Sequence, residues 1–173
     1  MFKEYLFNSQ LKNRPQRAAA WPVWEEVRTM FILYTSDVQE KNASMHELQK
    51  CLQQEDKSVV LWGISDKKEV LSPNLPTSRI LGKKDFTLFG KPKKEVLSDL
   101  RRQRYDLFLD VCTGDSLATR YIDLYADATF KAGAKRTEGL LDFMMDMPVQ
   151  EDVMPLYHQL IHYIQTIRRP QGL

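Results

Sequence analysis

Four short stretches of the chain are apolar almost from end to end: VRTMFILY (27–34), SVVLWGI (58–64), YDLFLDV (105–111) and LLDFMMD (140–146). Each is bounded by charge, Gly or turn-forming residues. None alternates cleanly between apolar and polar positions. That pattern suits strands covered on both faces, as in a parallel sheet with helices on each side. ATFKAG (128–133) and FTLF (86–89) are weaker strand candidates.

Between these runs the apolar spacing changes to threes and fours. SDVQEKNASMHELQKCLQQ starts at Ser36, with Ser36 or Asp37 available as N-cap, and places Met45, Leu48 and Leu52 on one stripe. DSLATRYIDLYADA offers Leu117, Tyr121, Leu124 and Ala128 at helical spacing. The last helix aligns Leu156, Leu160, Ile164 and Ile167, and Pro155 fits only its first turn. Residues 1–22 read as an extra N-terminal helix, with Phe2, Tyr5 and Leu6 inward, and a lead-in through RPQRAAAWP. Residues 65–94 hold three prolines and several turn formers, so an irregular excursion with one short strand is expected there. Strands alternating with helices imply parallel pairing through crossovers. The expected fold is therefore one α/β domain over 1–173. Its architecture is a three-layer, doubly wound, mostly parallel sheet of five or six strands of Rossmann-like type.

Composition narrows the function classes. At 173 residues, 43% hydrophobic and 28% charged, the chain can bury a real core. A net charge of +2 creates no whole-protein field that calls for nucleic acid. No apolar run approaches the roughly 18 residues of a membrane span. The first residues lack the apolar core of a signal peptide, so the expected location is the cytoplasm. Cys51 and Cys112 are too few and too far apart for a disulfide framework or a zinc motif, and both read as buried small hydrophobes.

Five segments together, FTLFGKPKKEVLSDL, YDLFLDVCTGDS, YADATFKAG, LLDFMMD and LIHYIQTI, resemble a family of short bacterial proteins of unknown function. Its members share a wFGKP turn, a fDlLiDl strand, an s.AkFkvG strand and a yDlmId strand before a final helix. This chain departs from the pattern at Phe108 and at Cys112, where Ser is usual. The family implies the fold but no activity. More distantly, Tyr105, Asp106, Asp110, Phe130, Lys131 and Gly133 resemble a strand–helix–strand unit in the N-terminal domain of heptosyltransferase-type glycosyltransferases. The second, sugar-nucleotide-binding domain of those enzymes has no room in this chain.

DLFLD and DFMMD repeat one pattern, Asp, three apolar residues, Asp. On a strand such aspartates point the same way but stand about 13 Å apart, at about 3.3 Å per residue. Paired carboxylates in glycosidases sit about 5 to 9.5 Å apart. Asp106 with Asp110, and Asp142 with Asp146, therefore mark strand starts and ends rather than acid/base pairs.

Ligands of open parallel sheets bind beyond the strand carboxyl ends, where strand order reverses. If the first strand and the strand at 105–111 flank that point, Thr35, Ser36, Asp37, Asp110, Thr113 and Asp115 line the crevice. Two readings stand: a ligand site, or helix caps at Asp37 and Asp115 with Asp110 bonded to loop amides. The segment 83–104 holds eight cations against three carboxylates, a net +5. Its FGKPK turn either presents Lys91 and Lys93 to an anion or belongs to a solvated face. Lys131 joins the candidates through the glycosyltransferase likeness.

Other chemistries find no support in the sequence. No Gly-rich phosphate fingerprint, P-loop or G-x-S-x-G elbow occurs. His158 and His162 have zinc-compatible spacing but lie opposite the apolar stripe, and HQLIH lacks the metalloprotease Glu. The expected function is a non-catalytic binding or interaction module without cofactor or nucleic-acid partner, acting on a small anionic metabolite or a protein. The alternative is a glycosyltransferase-related domain that keeps a sugar, nucleotide or anion site at the strand carboxyl ends. Its candidate ligand residues are Ser36, Asp37, Asp110, Thr113, Asp115, Lys91 and Lys131.

Overall fold

The computed structural model describes residues 1–37, 39–68, 75–136, 139–146 and 153–167. Its helices are α1 (Phe2–Lys12), α2 (Gln39–Gln54), α3 (Lys94–Leu100), α4 (Leu117–Tyr125) and α5 (Met154–Thr166). Its strands are β1 (Thr29–Thr35), β2 (Ser58–Ile64), β3 (Ser78–Leu81), β4 (Tyr105–Asp110), β5 (Ala128–Ala134) and β6 (Phe143–Met145). All six strands form one sheet in the order β3-β2-β1-β4-β5-β6, and every pairing is parallel. The chain starts at the centre with β1 and steps outward to β3. It then returns to lay β4 beside β1 and steps outward the other way. Strand order therefore reverses between β1 and β4, as in doubly wound Rossmann-like sheets.

Strand alternation divides the core into two. Met30, Ile32, Tyr34, Leu107 and Leu109 face α2 and α5, meeting Met45, Leu48, Leu52, Leu156, Leu160 and Ile164. Phe31, Leu33 and Phe108 face the other way, toward Phe7 of α1, Val96 and Leu100 of α3, and Tyr121 and Ile122 of α4. This double cover is why β1 and β4 read as unbroken apolar runs. Within YDLFLDV, Leu107, Leu109 and Val111 pack on one side and Phe108 on the other, with Cys112 buried beside it.

Several sequence expectations are corrected. FTLF is not a strand: Phe86 makes only an isolated bridge to Pro92, and the chain turns at Gly90, whose φ of +83° suits glycine. The third strand is SRIL, an edge strand that needs little apolar sequence because only Leu81 is fully covered. On α1, Phe2 and Tyr5 are exposed, and Phe7 is the buried residue, set edge-on to Tyr121 at 5.0 Å. Cys51 lies on the outer side of α2 and is exposed. Ala128 begins β5 rather than continuing α4, and Ile167 lies beyond α5 and is exposed. The segment PVQEDV before α5 falls largely outside the described residues.

Candidate functional site

A crevice of about 650 Å³ opens at the carboxyl ends of the strands, at the β1/β4 reversal. Its floor is Thr35 at the end of β1, Ile64 and Ser65 at the end of β2, and Thr113 beyond β4. One wall is the first turn of α4, Ser116 to Thr119. The other is the loop carrying Lys83, Phe86, Thr87, Leu88 and Gly90, with Lys3 of α1 at the rim. Gly90 is pressed against α4, since a Cβ there would come within 3.0 Å of the Leu117 Cβ. Chain packing thus fixes both walls, as expected of a preformed pocket.

The hydroxyls of this crevice hold the walls together. Thr35 Oγ1 accepts the Thr113 amide at 3.1 Å, which ties the ends of β1 and β4. Ser116 is the N-cap of α4 and accepts the Thr119 amide at 3.1 Å. Ser65 Oγ accepts the Lys67 amide at 3.2 Å. The charges are Lys3, Lys83 and Asp66, and the body of the crevice is apolar through Ile64, Phe86, Leu88 and Leu117.

The sequence-derived candidates divide among several places. Thr113 lines the crevice. Ser36 is buried and donates to Asn42 Oδ1 at 2.8 Å. Asp37 pairs with Lys41 one turn along, at 2.6 Å. Asp115 does not cap α4; it receives Nε and an Nη of Arg120 at 2.7 and 2.8 Å, and this hydrogen bond lowers its pKa. Lys91 lines a separate groove beside α3. Asp110 and Lys131 are buried in the layer beneath α4. Sequence reading missed Lys3, Ser65, Asp66 and Ser116, and it named Lys83 only as part of the basic 83–104 segment. Ser65 and Asp66 follow directly on β2, so a known strand order would have found them.

Asp110 sits in a buried polar cluster behind the crevice. It accepts the Cys112 amide at 2.8 Å and Arg136 Nε at 2.8 Å. The same guanidinium donates to the Cys112 carbonyl at 2.7 Å. Asp123 on α4 is equally buried, and neither of its carboxyl oxygens has a donor in reach. Burial first, and the charge of Asp110 second, push its pKa far above the usual carboxylate range. The protonated form gives one of the two orphaned oxygens a partner, because its O–H can donate to Asp110. Burial also raises the Cys112 thiol strongly, which leaves it a packed side chain rather than a nucleophile.

Lys131 runs beneath α4 and donates to the Asp123 carbonyl at 2.7 Å, capping one of the helix's last carbonyls. Burial lowers its pKa to about 8. Asp106 accepts the amides of Arg28 and Thr29 at 2.8 and 2.9 Å, and Asp142 accepts the Lys131 amide at 2.8 Å. Both aspartates therefore fasten strand starts. His158 and His162 are exposed on α5, and no group of three metal-ligating side chains occurs among the described residues.

With this geometry in view, a family model described as a family of unknown function (DUF6913) matches residues 1–167. The chain belongs to this family. Membership covers both walls of the crevice and the buried cluster behind it, so these features lie within the part the family defines. No curated protein and no solved structure matches the chain. No helix among the described residues is long and apolar enough to cross a membrane.

Proposed function

We propose that the protein is a non-catalytic binding module that takes a small molecule into the β1/β4 crevice. The observation that carries this reading is a preformed hollow of about 650 Å³ at the topological switch point, apolar along its body and basic at Lys3 and Lys83. The ligand it suits has an apolar portion and an anionic or hydrogen-bonding end. The hydroxyl oxygens of Thr35, Ser65 and Ser116 each accept a backbone amide, which suits a structural role for them. A nucleophile also needs a neighbouring base; among the described residues the crevice lining holds no histidine and a single carboxylate, Asp66.

A second reading shares this crevice: a glycosyltransferase-related domain that keeps a sugar, nucleotide or anion site. What favours it is that Lys3 and Lys83 stand without ion-pair partners among the described residues, next to the N-terminus of α4. A bacterial, cytosolic setting belongs to the same proposal. Its cytosolic part is supported by the free Cys51 and Cys112, with Cys51 exposed.

The test uses 8-anilinonaphthalene-1-sulfonate, a fluorescent probe with an aromatic body and one anionic end. The folded protein should bind it saturably. Gly114 lines the crevice, and a Cβ built there meets nothing within 4 Å. Gly114→Leu should therefore place a bulky side chain at the crevice lining and weaken binding markedly. Undiminished fluorescence in that variant would refute the crevice as the site. Competition by sugar nucleotides, but not by alkyl carboxylates, would select the second reading.

A further inference from the structure

We propose that the groove between the 87–92 turn and α3 is a second site, one that binds a compact polyanion such as a polyphosphate-bearing small molecule. The groove encloses about 710 Å³ and is separate from the crevice, with which it shares only Thr87. Lys91, Lys93, Lys94 and Arg101 line it, against the single carboxylate of Glu95. None of these four cations has an ion-pair partner among the described residues. Their neighbours differ: Arg102, Arg104 and Arg79 each pair with an aspartate.

Two of the cations are drawn together. Lys91 Nζ lies 5.7 Å and the Arg101 guanidinium 5.3 Å from the centroid of the Tyr125 ring. Laid end to end, those distances put the charges at most 11.0 Å apart. The aromatic ring attracts both, which holds the two charges within the span of one small polyanion. Thr87 and Ser98 add hydroxyl donors to the same lining.

The shape argues for a small polyanion rather than a nucleic-acid strand. Strand-binding grooves offer free aromatic faces for base stacking. Among the described residues the lining of this groove holds no aromatic side chain, and the nearby Tyr125 ring is already engaged by Lys91, by Arg101 and by Tyr121, which stacks on it at 6.2 Å.

Titration calorimetry with inorganic tripolyphosphate at low ionic strength tests the site on the full chain. One saturable site is expected, weakening as salt is added. Lys91→Glu with Arg101→Glu should lower the affinity by at least about tenfold, as reversing two charges of the groove lining requires. Lys50→Glu, exposed on α2 across the sheet from α3, and Lys135→Glu, just beyond β5, should leave it within about twofold. If the double variant does not fold, the exposed Lys93→Glu supplies the same comparison. Absence of binding would overturn the proposal, as would equal loss in Lys135→Glu, which would indicate only a general field. Tighter binding of a single-stranded oligonucleotide than of tripolyphosphate would also overturn it, and reassign the groove to nucleic acid. Because the probe has no apolar body and Lys91, Lys93 and Arg101 lie outside the crevice lining, failure here leaves the crevice reading untouched.

Discussion

Arg136 closes over Asp110 at the carboxyl end of the sheet, with Nε 2.8 Å from Oδ2 and an Nη 2.7 Å from the carbonyl of Cys112. Asp110 is fully buried, and the Arg136 side chain is only 5% exposed. The pair joins the end of β4 to the segment leaving β5, two strands that the chain lays side by side. Asp110→Ala would leave a guanidinium buried without its partner and the Cys112 amide without an acceptor. Breaking one side of a buried pair costs about 3–5 kcal/mol. A fall of that size in unfolding free energy, read from the urea midpoint at constant slope, is the expected result.

Asp123 behaves in the opposite way. Its pKa is raised, so it binds its proton more tightly folded than unfolded. The stability this contributes is fully present below its ordinary value of 3.8 and is lost as pH rises through the folded pKa. Asn resembles the protonated acid in shape and can also donate to Asp110. Asp123→Asn should therefore match the native protein in acid and gain on it steadily as pH rises. Denaturant midpoints of both proteins at pH 5, 7 and 9 check this, and a constant difference would contradict it.

These two aspartates show what the sequence discloses and what it conceals. The strand-exit position of Asp110 follows from YDLFLDV, because a charged residue ending an apolar run marks the point where the chain leaves the core. Its partner Arg136 lies 26 residues on, and only the pairing of β4 with β5 brings the two together. Asp123 gives no local signal, since RYIDLY reads as a helix with one solvated acid. The sheet was legible because both faces of β1 and β4 are apolar. β3 was not, because an edge strand needs few apolar residues. The crevice walls at Lys3 and Lys83 come from segments far apart in sequence. Their meeting depends on how α1 and the 83–90 loop pack, which periodicity does not encode.

Gly133 on β5 stands opposite Asp110 in the sheet register. A Cβ there would lie 2.4 Å from the Asp110 carbonyl oxygen and 2.9 Å from its Cβ. The obstacle is backbone, which cannot swing aside. Gly133→Ala should therefore push β5 away from β4 and cost about 1–3 kcal/mol or more, as overpacking does. Gly114→Ala, where a Cβ meets nothing within 4 Å, is the matched control and should shift the thermal midpoint little. Equal shifts in the two variants would show that the close approach does not constrain residue 133.

Lys131 supplies the alkaline side of the pH profile. Burial lowers its pKa to about 8 from 10.5. Between those values the unfolded chain holds more protons than the folded one, so stability rises with pH across that window. A shift of this size in a side chain only 3% exposed corresponds to roughly 3 kcal/mol at most. Lys131→Met keeps the apolar stem and removes the titrating group, but it also strips the Asp123 carbonyl of its donor. Those two consequences oppose one another at pH 7, so the informative quantity is the slope and not the level. Unfolding free energy measured from pH 7.5 to 10 should climb less in Lys131→Met than in the native protein. An Asp123→Asn background removes the competing titration of the neighbouring acid, and there the native Lys131 should give the steeper climb. Parallel profiles with and without Lys131 in that background would mean that the ammonium is solvated as freely in the fold as outside it.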